Sequence, residues 1–446
     1  MEEPRPEPQG SGENAPAPQA AAAGEEVVTV EAKAAACTAC GDDAPAAAGD
    51  GSSINRTLGE NVTIEQVLEK ALFAAGCISE ANFGSFSKIR WSRASRTDKG
   101  VHSLGTVMGL RMLVDDAKYV AGPDGDCEGL ALAEAVNTHL PPQIRVFTTN
   151  KKFSARHMCE GRVYQYYLPV SMIDLKCDGS EEDAQRLAKF RDALKCYEGS
   201  HPFHNFTKRV TYQPGGSNVQ FRPGDGVVGR YGPYGRVLLL RWQTEVDPRD
   251  RITQTFYRRI YSFTAADPKP MVEGGEPCLL LEVSGQSFML HHIRHMIGAA
   301  VAVTLGLISK EVLLGSLTPP ARVTLPRAPP HTLLLSDCSF GRFPAQQGPG
   351  DNDLRNITGE RLSLREGGQQ RKEAFRNEVL LPALQQLVAL PEWQQWKASM
   401  YQVFPFPEVA RSRVAAGARC AVTWFRAKRG AISTLRVAAA AMHHAT

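Results

Sequence analysis

Ser92-Arg-Ala-Ser-Arg-Thr-Asp-Lys-Gly-Val-His-Ser-Leu104 packs Arg93, Arg96, Asp98, Lys99 and His102 into one short polar segment. Ile89 and Trp91 alternate with polar neighbours before it, and a mostly apolar run, Val107 to Leu113, follows. That pattern predicts a loop between two strands. A single carboxylate among cations is favoured in its ionised form, so Asp98 is expected to be charged at neutral pH. It is then available as a nucleophile or as a salt-bridge partner. Gly100 permits a backbone conformation that other residues adopt only at a cost. Taken alone, an R-x-D-x-G string more often caps a turn while its arginines are solvated.

Outward from this loop, 446 residues are enough for two or three domains and a large core. No run reaches the roughly eighteen apolar residues of a membrane span, so no membrane partner is expected. The ten cysteines are scattered, and the absence of a secretory signal fits a reducing compartment. Cys37 and Cys40 form a close pair with no histidine or second pair nearby, which favours two free thiols over a zinc site. Net charge is +4, yet residues 1–50 carry −8, leaving about +12 on the remainder. A basic body points to a polyanionic partner.

Residues 1–58 are rich in Ala, Pro, Gly and Glu, lack periodicity and predict a disordered acidic tail. One β-prone piece, Val27 to Val30, interrupts them. Order begins at Thr63-Ile-Glu-Gln, a capping box opening a helix. Glu128 to Leu140 predicts a second helix, stopped by Pro141-Pro142, and Ile144 to Thr148 a strand. The order then recurs. Arg162 to Leu168 alternates as a strand, and Glu181 to Glu198 is a helix ended by Gly199. Val237 to Arg241, Tyr257 to Phe263 and Cys278 to Val283 read as strands. Phe288 to Leu305 is an apolar helix, followed by a short helix at Lys310 to Leu314 and a closing strand, Leu333 to Cys338. The fold class is therefore α+β, with two tandem ferredoxin-like β-α-β-β-α-β units and antiparallel-rich mixed sheets. The expected divisions are the tail 1–58, a first half 59–150 holding the polar loop, a second half 151–345 interrupted by an insertion at 209–256, and a region 346–446. That last region holds a linker, a helical stretch from Glu373 to Met400 broken at Pro382 and Pro391, and a basic tail.

Three strings carry a resemblance. Arg96-Thr-Asp-Lys-Gly-Val-His102 resembles the catalytic loop of the TruA family of pseudouridine synthases, in the form of its eukaryotic branch. Arg162-Val-Tyr-Gln-Tyr166 resembles the family's R-x-Y-x-Y strand, and Phe288-Met-Leu-His-His-Ile-Arg-His-Met-Ile-Gly298 its F-M-x-H-x-I-R-x-M-x-G helix. Gly199 to Thr207 is similar to a further family segment, and the match runs from 60 to 340 outside the insertion. The resemblance implies one pseudouridine synthase core with a central cleft, acting on uridines in tRNA and on other structured RNAs. A nuclear site is implied, with mitochondrion or cytoplasm as further compartments. Monomer and homodimer both remain open.

Pseudouridylation breaks the ribose–uracil nitrogen bond, turns the base and rejoins it through carbon, with no redox step and so no cofactor. It needs a nucleophile, a proton acceptor and access to a flipped base. The resemblance makes Asp98 the nucleophile, Tyr164 the stacking residue and candidate base, and Arg294 the ion-pair partner of Asp98. A lone arginine in an apolar helix independently calls for a carboxylate, and Gly298 one turn on leaves room for close approach. Arg96 is the leading RNA contact, with Arg93, Lys99 and His102 beside it. His201 and His204 have metal-like spacing but no third ligand, so no metal is expected. A metal-dependent nuclease would need clustered carboxylates, and the loop has one.

Two departures stand against the family pattern. The opening Y-x-G-x-x-Y-x-G-x-Q strand is absent from residues 51–61, where the family has it, and Val27 to Val30 lies at a different spacing. A missing central strand predicts unpaired edges on its neighbours. Pro330 and Thr332 replace family glycines, which predicts a reshaped turn near the active site. Both departures favour a rival, a catalytically impaired RNA-binding protein of the same family.

Overall fold

The computed structural model describes residues 25–32, 63–98, 100–114, 129–151, 155–207, 226–232, 235–242, 250–341 and 362–404. The first half holds β1 (Glu25–Ala32), α1 (Ile64–Ala74), β2 (Ser92–Arg93), β3 (His102–Ser103), β4 (Val107–Arg111), α2 (Leu130–Asn137) and β5 (Ile144–Lys151). β2, β4, β1 and β5 form one sheet in that order, antiparallel throughout. Helices α1 and α2 bury Leu68, Leu72, Leu132 and Val136 against Leu110, Ile144 and Val146 of this sheet.

β1 comes from within the stretch expected to be a disordered tail. Its backbone pairs with β4 from Glu25↔Arg111 to Thr29↔Val107 and with β5 from Glu26↔Lys151 to Ala32↔Ile144. The edges that the absent opening motif was expected to expose are thereby paired. The physical basis is local: Val27-Val-Thr-Val30 is a β-branched run inside an otherwise Ala/Pro/Gly/Glu sequence. The rest of residues 1–58 lies outside the described residues.

The second half continues with β6 (Cys159–Pro169), α3 (Glu181–Lys195), β7 (Gly199–Pro202), β8 (Gly226–Gly232), β9 (Gly235–Trp242), β10 (Tyr257–Ala265), β11 (Lys269–Pro270) and β12 (Pro277–Gly285). It ends with α4 (His292–Thr304), α5 (Lys310–Ser316), β13 (Ala321–Val323) and β14 (Leu333–Phe340). The second sheet runs β3-β14-β6-β12-β10-β7, with β11 on β12. All its pairs are antiparallel except β3 with β14, so the sheet is mixed. Within the insertion, β8 and β9 form a hairpin that pairs with β13 as a small third sheet. A buried ion pair, Arg322 Nε to Asp250 Oδ2 at 2.6 Å, fastens the end of the insertion to β13.

Caps explain the helix starts. The Thr63 hydroxyl accepts from Gln66 N at 3.3 Å, and Gln66 Oε1 accepts from Thr63 N at 2.8 Å, closing the expected box. Ser180 accepts from Asp183 N, and three acidic residues in the first turn of α3 face the positive end of its dipole. Helix α4 is buried along nearly its whole length.

Behind the sheets lie α6 (Glu366–Phe375), a π turn (Arg376–Leu380), α7 (Leu381–Val388) and α8 (Glu392–Val403). The predicted break at Pro382 is instead a π turn followed by a new helical start, with Pro382 in the first turn of α7. Pro391 is the N-cap of α8. Leu380, Leu384 and Val388 form one core with Phe147 of β5 and with Tyr167 and Leu334 of the second sheet. No helix among the described residues is long and apolar enough to cross a membrane.

Candidate active site

The polar loop passes from one sheet to the other. Arg93 in β2 pairs with Met108 in the first sheet, and Ala94 N donates to Val107 O at 2.9 Å. Eight residues later the chain enters the second sheet as β3, where Leu104 N donates to Leu335 O at 2.7 Å. Between these anchors the turn closes through Val101 N and Asp98 O at 3.0 Å. Gly100 takes φ +79°, a backbone that strains other residues, and a Cβ there would crowd Pro330 Cγ at 3.2 Å.

The loop borders a cleft of about 1180 Å³ whose wall includes Asp98, Tyr164, His291 and Arg294. Asp98 Oδ2 lies 3.0 Å from His291 Nδ1. Burial pushes the Asp98 carboxyl up, but the His291 hydrogen bond and the charges of His291 and Arg294 outweigh it, and the group sits below its usual range. It is therefore ionised at neutral pH, as its place among cations predicted.

Arg294 reaches the same cleft at 8% exposure. Its Nε donates to Ala328 O at 2.7 Å, and its Nη1 lies 3.5 Å from His291 Nδ1. The expected direct pair with Asp98 is not present among the described residues; His291 stands between them. Burial, with Arg327 nearby, lowers the guanidinium to about 10, which still leaves it charged at neutral pH. Gly298 admits the chain as predicted: a Cβ there would strike Pro326 O.

Tyr164 is 6% exposed, and its hydroxyl is 2.9 Å from Ser95 Oγ of the loop. Its ring meets Phe288 edge-on, with centroids 5.1 Å apart. Burial pushes the phenol up to about 12, and the Ser95 contact opposes this only partly. Arg162, two residues before, ties the cleft walls together, donating to Ala94 O and to Gln286 O, each at 2.7 Å.

The expected RNA contacts separate. Arg96 is exposed on the cleft wall and has no side-chain partner among the described residues. Arg93 also lines the cleft but is ion-paired with Glu65 of α1. His102 is corrected: at 1% exposure in β3, with Nε2 2.9 Å from His331 O, it is a sheet residue without access to a ligand. Lys99 lies outside the described residues. Arg90, Arg93, Arg96, Arg162 and Arg294 outnumber Glu65 and Asp98 on the lining, so the cleft favours a polyanion.

The turn expected to be reshaped by Pro330 and Thr332 is built without positive φ at either residue. Thr332 Oγ1 donates to Tyr167 O at 2.6 Å, and Pro329 O accepts from the Tyr166 hydroxyl at 2.9 Å. His201 and His204 direct ring nitrogens to the backbone carbonyls of Glu198, Pro202 and Ala321, and no group of metal-ligating residues occurs among the described residues.

Sequence reasoning gave no role to His291, Ser95 or Arg162. Each lay inside a quoted string, and the only available signal was position: three residues before Arg294, three before Asp98 and two before Tyr164.

The family described as tRNA pseudouridine synthase matches residues 243–341, which include α4 with His291 before it and Arg294 within it. The chain is 28% identical over 301 residues to the mouse protein named pseudouridylate synthase 1 homolog, covering 65% of this chain and 58% of that one. It is 29% identical over 290 residues to the human protein of the same name, at 63% and 55% coverage. The tRNA pseudouridine synthase 1 of Yarrowia lipolytica is 26% identical over 361 residues, at 61% and 58%. The chain thus spans little more than half the length of these relatives. With the loop, the tyrosine strand and the arginine helix gathered on one cleft, the chain is similar to the pseudouridine synthases over the region these comparisons cover.

Proposed function

We propose that this protein isomerises uridine to pseudouridine in tRNA, and that other structured RNAs are further substrates. The N1–C1′ bond of uridine breaks and a C5–C1′ bond forms. The proton lost from C5 is balanced by one gained at N1, so the reaction needs no oxidant. The observation that carries this is an ionised Asp98 in a cleft with Tyr164 on one wall and the His291–Arg294 corner on another. The relatives named tRNA pseudouridine synthase add the substrate class.

In this reading Asp98 is the nucleophile and Arg294 a fixed cation beside it. Tyr164 stacks on the flipped base. With its phenol pushed up to about 12, Tyr164 is a poor proton acceptor at neutral pH, so its main service is apolar contact and its hydroxyl's hold on the loop. Arg96 meets RNA phosphate or the vacated base position. The fold supports two ferredoxin-like units: in each sheet the closing strand, β5 or β14, lies beside the opening one, β1 or β6, and the inner hairpin completes the far side. The nucleus is the compartment the family implies.

The test is tritium release from tRNA carrying uridine labelled at carbon 5. Wild type should release tritium. Asp98→Asn should lose at least about a thousandfold in rate, the order expected for removing a covalent catalyst, while holding tRNA in a gel shift. Full release by Asp98→Asn would refute the nucleophile. Binding without release by wild type would favour the binding-only rival.

A further inference from the structure

His291 Nδ1 lies 3.0 Å from Asp98 Oδ2 and 3.5 Å from Arg294 Nη1. A carboxylate only accepts and a guanidinium only donates, so one ring nitrogen can serve only one of them. The shorter contact and the charge on Asp98 select an Nδ1–H directed at the carboxylate. Arg294 then acts on the pair through charge alone, with its Nε spent on Ala328 O. Asp98 Oδ1 is left without a hydrogen-bond partner among the described residues.

The backbone supports a dedicated role. His291 is the N-cap of α4, yet its side chain does not cap the helix. Its φ of 61° and ψ of 8° place it in the left-handed region, a conformation only four non-glycine residues among those described adopt. Such strain persists where the surroundings over-determine it, and it clusters at working sites. Here His295 N donates to His291 O at 3.0 Å, and His292 N to Met289 O at 3.1 Å, fixing the turn that presents the ring.

We propose that His291 is the positioning residue of the nucleophile, holding Asp98 Oδ2 through Nδ1–H so that Oδ1 is the attacking oxygen. This rests on the synthase reading above and deepens it. The groups that bear on the pair come from several elements. Asp98 is opposed by His291 and Arg294 from α4 and its cap, and it acts on Tyr164 of β6. His291 also acts on His295, and Arg327, from the segment between β13 and β14, acts on both His295 and Arg294. Arg96 flanks Asp98 on the loop itself.

Activity needs the Asp98 carboxylate and is lost as pH falls through its titration. Burial alone would raise that titration; His291 and Arg294 hold it down. Without the imidazole, Arg294 and the backbone N–H of residue 291 are left to oppose burial, so the acid limb of the rate moves to higher pH.

The variant of choice is His291→Gly, because glycine accepts the left-handed backbone that alanine would strain. Tritium release is measured against pH for wild type and variant, with tRNA retention and thermal melting as controls. The expected result is a kcat lower by about tenfold or more, with KM within about twofold, and an acid limb raised by about half a pH unit or more. His291→Asn, which tolerates the left-handed region and keeps a donor, should recover part of the rate. A His291→Gly enzyme with wild-type kcat, or one whose kcat falls with no movement of the acid limb, overturns the proposal. If His291→Gly does not fold, nitrogen-15 shifts of the wild-type histidines decide: a protonated Nδ1 at His291 supports the proposal and a bare Nδ1 overturns it. No release by wild type itself would overturn the synthase reading and this inference together, which distinguishes that failure from failure of the histidine alone.

Discussion

The two sheets draw their central strands from different distances along the chain. In the second, β6 lies within the unit it organises, pairing with β12 from Arg162↔Gly285 to Pro169↔Cys278 and with β14 from Cys159↔Phe340 to Tyr166↔Leu333. In the first, β1 is separated from α1 by residues 33–62 and still lies between β4 and β5. Closing a longer loop costs more entropy, though the cost grows only with the logarithm of its length. The first sheet therefore has less to hold its middle strand in place locally.

A seam formed by α6, the π turn and α7 joins β5 of the first sheet to the second sheet. Phe375 meets Phe147 of β5 edge-on at 5.9 Å, Arg376 donates to the Tyr167 hydroxyl of β6 at 3.0 Å, and Lys372 donates to Ser336 O of β14 at 3.1 Å. The polar loop is the second tie between the sheets, because its two ends belong to different ones. Asp98 comes from this tie, and His291 and Arg294 come from the second unit. The site is thus assembled by the relative placement of the units, and weakening the first unit should cost activity before it costs the second unit's fold.

The largest effect should come from breaking β1. Val28 pairs on both sides, with Met108 and with Thr149. Val28→Pro removes a donor from a central strand, a place proline does not occupy, and should unseat the strand with which β4 and β5 both pair. Tritium release should be lost while limited proteolysis spares a fragment holding α3, α4, β12 and β14. A Val28→Pro enzyme as active and protease-resistant as wild type would mean that β1 carries none of the first sheet's stability.

This asymmetry also explains what was legible in the sequence. The second unit's strands and helices follow one another with intact periodicity, so β6, α3, β10, β12, α4 and β14 could be read close to their observed bounds. The β-prone character of Val27 to Val30 was readable too. Its partners were not, because pairing across residues 33–62 leaves no local signal. The cleft shows the same limit. Asp98, Tyr164 and Arg294 were legible through the resemblance of their strings; charge, alternation and an apolar setting alone left a structural role open for each. The histidine between Asp98 and Arg294 depends on a left-handed turn at the start of α4, and a run of two adjacent histidines does not say which ring turns toward the loop. His102 was misjudged for the same reason: its two-residue strand is set by β14, far along the chain.

A smaller effect should follow from loosening the seam. Leu384 is fully buried in the core shared by both sheets. Leu384→Ala should cost about 2–5 kcal/mol, from lost burial and the cavity left behind. If the seam couples the units, the urea unfolding transition should broaden or split, with the first unit leaving earlier. A single transition shifted to lower urea with unchanged steepness would show that the loop alone suffices as the tie.

The smallest effect separates local from imported stability within the first unit. The Thr63 capping box is local and exposed, and it serves α1 without touching the seam or β1. Thr63→Ala should cost about 1 kcal/mol. Placed in the wild-type background, where the first unit is held by β1 and the seam, that loss should lower the urea midpoint slightly and leave tritium release unchanged. Placed in the Leu384→Ala background it should add fully to the loss, because the two sites share no partner. Should the double variant lose much more than the sum, α1 and the seam would have to communicate through the β4–β5 framework, and the first unit would behave as one cooperative body, not as a sheet held from outside.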